Sequence, residues 1–146
     1  MPSGERGEIH VVKPGLCTTL QDLGRQGFQH YGLSVSGAMD RRSLIVANRL
    51  VGNHDADAAL EMTLTGSELL FESATIVAVT GADLSPSVDG CSLPQWTSVE
   101  IRAGSRLVFG RRRAGARAYL AVAGGFDAPV VWGSRSTHLA SATGGL

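Results

Sequence analysis

Three regions of the 146-residue chain hold the side chains that could do chemistry. The first is Gly133-Ser134-Arg135-Ser136-Thr137. Its Gly lets backbone N–H groups approach an anion, while the Ser134, Ser136 and Thr137 hydroxyls can donate hydrogen bonds. Arg135 adds a planar fork of donors suited to carboxylate or phosphate. The second is His30-Tyr31 followed by Ser36-Gly37-Ala38-Met39-Asp40. His30 is a candidate general base, Ser36 is placed to contact substrate, and Asp40 reads as a helix cap. The third is the pair Glu61 and Asp83, at or just beyond strands. A carboxylate in a partly buried cleft gains affinity for a proton and can pass it on. Asn48 interrupts a mostly apolar helix, so if buried it must hydrogen-bond, for example to the loop backbone near Ser36.

Each of these residues also has a plainer reading. The Gly133–Thr137 stretch is also what an ordinary polar turn looks like. A lone His is often a structural hydrogen-bonding group, and carboxylates near strand ends are often solvated or paired. Gln21-Asp22-Leu23-Gly24-Arg25 reads as architectural, with acid and base pairing across a turn bent by Gly24.

The elements that must position these groups are mostly strands. One helix is predicted over 41–51, with Asp40 as N-cap and Gly52-Asn53 as its stop. Leu44, Val46, Ala47, Leu50 and Val51 fall on its apolar arc, and Arg41, Arg42, Asn48 and Arg49 on its polar one. Strands are expected at 9–12, 60–64, 68–72, 75–80, 99–102, 106–109 and 116–123. The run from Thr75 to Val79 is apolar on both faces and is expected inside a sheet. Between Pro14 and Asp40 the glycines break the chain too often for a long helix. The chain thus reads as mainly β with one helix, an antiparallel sandwich or barrel. The barrel is expected to be incomplete here, because closure needs strands that 141–146 do not supply. Residues 1–8 read as a leader, 9–66 as an N-terminal α+β segment and 67–146 as the first barrel strands.

Composition sets limits on function. Thirteen basic residues balance thirteen acidic ones, so no global field favours nucleic acid or an anionic membrane. Arg111-Arg112-Arg113 has no aromatic partners and reads as a solvated hairpin tip. Cys17 and Cys91 are far apart, which points to a reducing cytoplasm. No apolar run is long enough to cross a bilayer as a helix. The four histidines His10, His30, His54 and His138 lack metal-type spacing, so no metal is expected. The phosphate-loop and nucleophile-elbow signatures are absent.

Four segments, in order, carry a family resemblance. They are Pro14 to Arg25, Ser36 to Asp40, Ala47-Asn48-Arg49-Leu50-Val51-Gly52-Asn53, and Gly124-Gly125 followed by Gly133 to Thr137. Together they resemble the N-terminal part of the biotin-dependent carboxyltransferase subdomain family. That family contains the 5-oxoprolinase C subunit, allophanate hydrolase subunit 2 and the matching segment of urea carboxylase. The resemblance implies a cyclophilin-like β-barrel and a sister subunit, of the type seen in the 5-oxoprolinase B subunit or allophanate hydrolase subunit 1. It places the active site near the junction of the two. The implied activity is ATP-dependent opening of 5-oxoproline to glutamate, with ATP held on this chain or on a partner. On that basis Ser36, Asn48, Ser134, Arg135, Ser136 and Thr137 would bind substrate or an anion. His30, Glu61 and Asp83 would handle protons. Two alternatives stand beside it: a urea-type carboxyltransferase served by biotin on a separate carrier, and a non-catalytic antagonist of a kinase inhibitor.

Overall fold

The computed structural model describes residues 6–145; residues 1–5 of the expected leader and Leu146 lie outside the described residues. Short runs that alternate or combine apolar and polar residues pair with their neighbours in antiparallel fashion. The strands are β1 (Ile9–Lys13), β2 (Thr18–Gln21), β3 (Ala59–Thr63), β4 (Glu68–Phe71), β5 (Thr75–Asp83), β6 (Pro86–Val88), β7 (Cys91–Ser92), β8 (Ser98–Ile101), β9 (Arg106–Phe109) and β10 (Ala114–Val122). One sheet has the order β1-β4-β9-β6-β7 and the other β2-β3-β10-β5-β8. All their pairings are antiparallel. The two sheets do not close into a barrel. Both draw strands from either side of residue 66.

The core lies between the sheets. Leu60, Met62, Val77, Val79 and Leu120 of one sheet meet Leu69, Phe71 and Leu107 of the other. Alternation along each strand therefore turns a second set of side chains outward. β5 sits between β10 and β8, as its apolar faces predict.

The helix α1 (Arg41–Leu50) packs on the outer face of the β2-β3-β10-β5-β8 sheet. Asp40 caps it, accepting from the Ser43 backbone N–H at 3.1 Å. Leu44 and Ala47 cover Ala59, Tyr119 and Ala121. The Ser43 carbonyl accepts from Thr80 Oγ1 at 2.7 Å and ties the helix to β5. Asn48 departs from the expected polar arc, since it is fully buried. Its amide nitrogen donates to the Asp57 carbonyl at 2.7 Å, so it holds the chain leading into β3. Three strands went unforeseen. β2 hides among glycines, and β6 and β7 are too short to show a period.

Candidate functional site

The outer face of the helix-bearing sheet is only partly covered by α1. Register sets the rest of its surface. Thr19 on β2 lies opposite Glu61 on β3, which lies opposite Tyr119 on β10. One step along, Thr63 lies opposite Arg117. These side chains share one face because residues two apart on a strand point the same way. Tyr119 is fully buried, while Thr19, Glu61, Thr63 and Arg117 line a cleft of about 300 Å³. Ser36 and Gly37 wall it on one side, and Thr137 to Ala140 on the other.

A buried clasp brings those walls together. The Asp22 carboxylate accepts from Ser134 Oγ and Ser136 Oγ, both at 2.6 Å, from the Arg135 N–H at 2.7 Å and from the Gly24 N–H at 2.8 Å. Burial alone would raise its pKa, but these four bonds outweigh it and hold the carboxyl below the usual aspartate value. Arg25, also buried, does not reach Asp22 across the turn. It donates instead to the carbonyls of Val131 at 2.9 Å and Ser136 at 2.6 Å. Acid and base thus grip the 131–136 segment separately. Two glycines let the other wall approach. A Cβ on Gly24 (φ +92°) would lie 2.6 Å from the Val35 carbonyl oxygen, and one on Gly37 (φ +90°) 2.9 Å from the Gly24 nitrogen.

At the cleft's centre Glu61 Oε2 accepts from the Tyr119 hydroxyl at 2.6 Å and from the Met39 N–H at 2.8 Å. Burial first, and the bond to Glu61 second, push the Tyr119 hydroxyl well above the tyrosine range, so it stays protonated. Glu61 Oε1 faces Arg117 Nε at 3.7 Å, too far for a hydrogen bond. Ser36 is held at φ +55°, a region that non-glycine residues seldom adopt. Among the described residues, four buried side-chain atoms lack a hydrogen-bond partner; three of these, Gln21 Oε1, Ser36 Oγ and Arg117 Nε, belong to residues lining this cleft.

The structure brings Glu61, Ser36 and Thr137 to this one cleft and sets the other candidates elsewhere. Ser134 and Ser136 do hold an anion, but it is the chain's own Asp22. Arg135 donates through Nε to the Ala128 carbonyl at 2.9 Å and lines a separate cavity of about 760 Å³. Asp83 accepts from the Ser85 N–H and shapes the turn into β6. His30 is exposed, its ring tilted against that of Tyr31 with centroids 3.9 Å apart, and Tyr31 in turn lies near Trp132. Asn48 holds the connection into β3. Glu8, His10 and Glu72 could hold a metal ion with atoms within 4.8 Å of one another, but all are exposed and none lines the cleft. Sequence reasoning missed Gln21, Arg117 and Tyr119. The signal was present in the alternation of Arg117 and Tyr119 along an otherwise small and apolar strand.

Residues 31–146 match the family model described as carboxyltransferase domain, subdomain A and B. The chain belongs to this family. This carboxyltransferase-domain chain is 43% identical over 140 residues to the 5-oxoprolinase C subunit of Escherichia coli, covering 94% of the chain and 44% of that protein. It is 41% identical over 138 residues to urea amidolyase of Saccharomyces cerevisiae, again over 94% of the chain but 8% of the relative. The crystal structure of the Kluyveromyces lactis urea amidolyase superposes with a TM-score of 0.92 at 39% identity, over 98% of this chain and 9% of that one. The chain spans less than half the length of these relatives. They are subunits or domains of larger enzymes. Among the described residues, no helix is long and apolar enough to cross a membrane.

Proposed function

We propose that this chain is part of an enzyme subunit that, with a sister subunit of related fold and a third component, opens 5-oxoproline to glutamate at the expense of ATP. The observation that carries this reading is the 43% identity to the Escherichia coli 5-oxoprolinase C subunit. The complex would work in the cytoplasm.

The chemistry of the cleft suits an amide. A lactam carbonyl is unreactive, and catalysis needs donors placed where charge develops on its oxygen. Arg117 Nε is such a donor, paired by charge with Glu61 at 3.7 Å but without a hydrogen-bond partner. Glu61 has one oxygen fixed by Tyr119 and Met39 and the other free to accept a proton from substrate or water. A triphosphate does not suit this cleft, because Glu61 at its centre would repel it. On this reading ATP binds on this chain or on a partner, and the residues of this cleft bind and orient the ring.

A second reading rests on the 41% identity to urea amidolyase. It makes the chain part of a carboxyltransferase acting on urea, with carboxyl delivered by biotin on a separate carrier. The two readings separate in one assay. The chain, its sister subunit and the third component are combined, and glutamate formed from 5-oxoproline is compared with urea-dependent carboxylation in the presence of a biotin carrier. Glutamate formation with ATP consumption supports the first. Carboxylation of urea without glutamate supports the second. Tight association with neither turnover would favour a regulatory protein.

A further inference from the structure

We infer that the larger cavity, between the two sheets, is a second binding site that takes an amphipathic monocarboxylate, its apolar tail between the sheets and its carboxylate on Arg135. The site is separate from the Glu61 cleft and does not depend on the reaction proposed above.

The cavity measures about 760 Å³, within the roughly 300–1,000 Å³ typical of sites that enclose small molecules. Leu60 and Val122 line it from the helix-bearing sheet, Leu69 and Phe71 from the other, and Phe126 from the segment after β10. On one side runs β1, an edge strand, whose Val11 lines the cavity and yet is 56% exposed. Apolar wall is thus left in contact with water, and covering it is favourable.

The charges at the rim do not all cancel. Arg6 pairs with Asp127, and Glu8 lies 3.9 Å from His10. Arg135 has no ion-pair partner among the described residues. It is nevertheless held at two points: its backbone N–H donates to Asp22 at 2.7 Å and its Nε to the Ala128 carbonyl at 2.9 Å. The two terminal nitrogens have no hydrogen-bond partner among the described residues, and neither is sealed from solvent. A guanidinium fixed at Nε and open at its end offers the paired N–H donors that a carboxylate accepts.

The two halves of the site select the ligand class. An alcohol or hydrocarbon leaves Arg135 without a counter-charge. Acetate or inorganic phosphate can reach Arg135 but leaves the apolar wall wet. A carboxylate on a chain of several methylenes satisfies both, each buried methylene adding about fourfold in affinity.

The test titrates the full chain by calorimetry with octanoate, octan-1-ol and acetate, and locates the bound ligand by NMR. The expected result is saturable octanoate binding that shifts Leu60 and Phe126 resonances, with the other two ligands weaker by roughly tenfold or more. Arg135→Gln keeps the backbone bond to Asp22; it should bring octanoate down to the affinity of octan-1-ol and leave octan-1-ol unchanged. Val11→Asp, at an exposed edge position, should weaken octanoate through repulsion. It decides the matter if Arg135→Gln fails to fold. Equal affinity for octanoate and octan-1-ol, indifference to both variants, shifts confined to the Glu61 cleft, or no binding would overturn the site. Turnover plays no part in this measurement, so its outcome is independent of the reading of the cleft.

Discussion

Glu61 and Tyr119 face one another in register across β3 and β10, joined by a 2.6 Å hydrogen bond from the tyrosine hydroxyl to the carboxylate. The same hydroxyl accepts from the Asp40 N–H at 2.8 Å, so one atom connects the cleft carboxylate to the start of α1. Tyr119→Phe removes both bonds. The expected loss of stability is about 1–3 kcal/mol, since a buried N–H and a carboxylate oxygen each lose a partner. Urea unfolding of the two proteins checks it.

Tyr119 should also resist ionisation. Burial and the facing carboxylate raise its pKa above the ordinary value of 10.0. In a Tyr31→Phe variant Tyr119 is the remaining tyrosine. Its phenolate absorbance should then appear only when the protein unfolds in alkali. A reversible rise near pH 10 with the fold intact would contradict the burial and hydrogen bonding described for it.

Asp22 makes stability depend on acid. Its folded pKa lies below the unfolded value of about 3.9. The stability it adds is therefore fully present above that value, and is lost as pH falls from about 4 through the folded pKa. Asp22→Asn should lower stability at neutral pH by roughly 2–4 kcal/mol, because four donors then face a neutral group that cannot accept them all. The variant should also lose part of the decline below about pH 4. Urea midpoints measured at several pH values report both effects.

Gly24 and Gly37 lock the two loops together. Gly24→Ala should cost about 1–3 kcal/mol from backbone strain alone. Contact with the Val35 carbonyl adds to this. Gly27→Ala, with the same sign of φ but open space around it, should be milder. Thermal unfolding of the two variants gives the comparison.

Much of this was legible before the structure. Asp40 followed by an apolar period gave α1, and the runs at 75–80 and 106–109 gave β5 and β9, because local pattern and burial agree there. Asn48 was misplaced on the exposed arc because helical periodicity assigns polarity by residue type. Its burial depends on the Asp55–Asp57 carbonyls, which the period does not show. Asp22 and Arg25 are three residues apart and were expected to pair. Apart from the Gly24 N–H, their side-chain partners lie more than a hundred residues away in sequence, a separation no local pattern encodes. Glu61 could be named from its type. Its setting against Arg117 and Tyr119 came only from strand register.

We propose that the Glu61 cleft takes part in opening a lactam. The direct test is glutamate formation from 5-oxoproline, with ATP, by the complete complex carrying either Glu61 or Glu61→Gln, with folding and assembly verified for both. Turnover by the first is expected, with a fall of about a hundredfold in the second, the range for losing a general base. Equal turnover by the two, or no glutamate from a fully assembled complex, would contradict it.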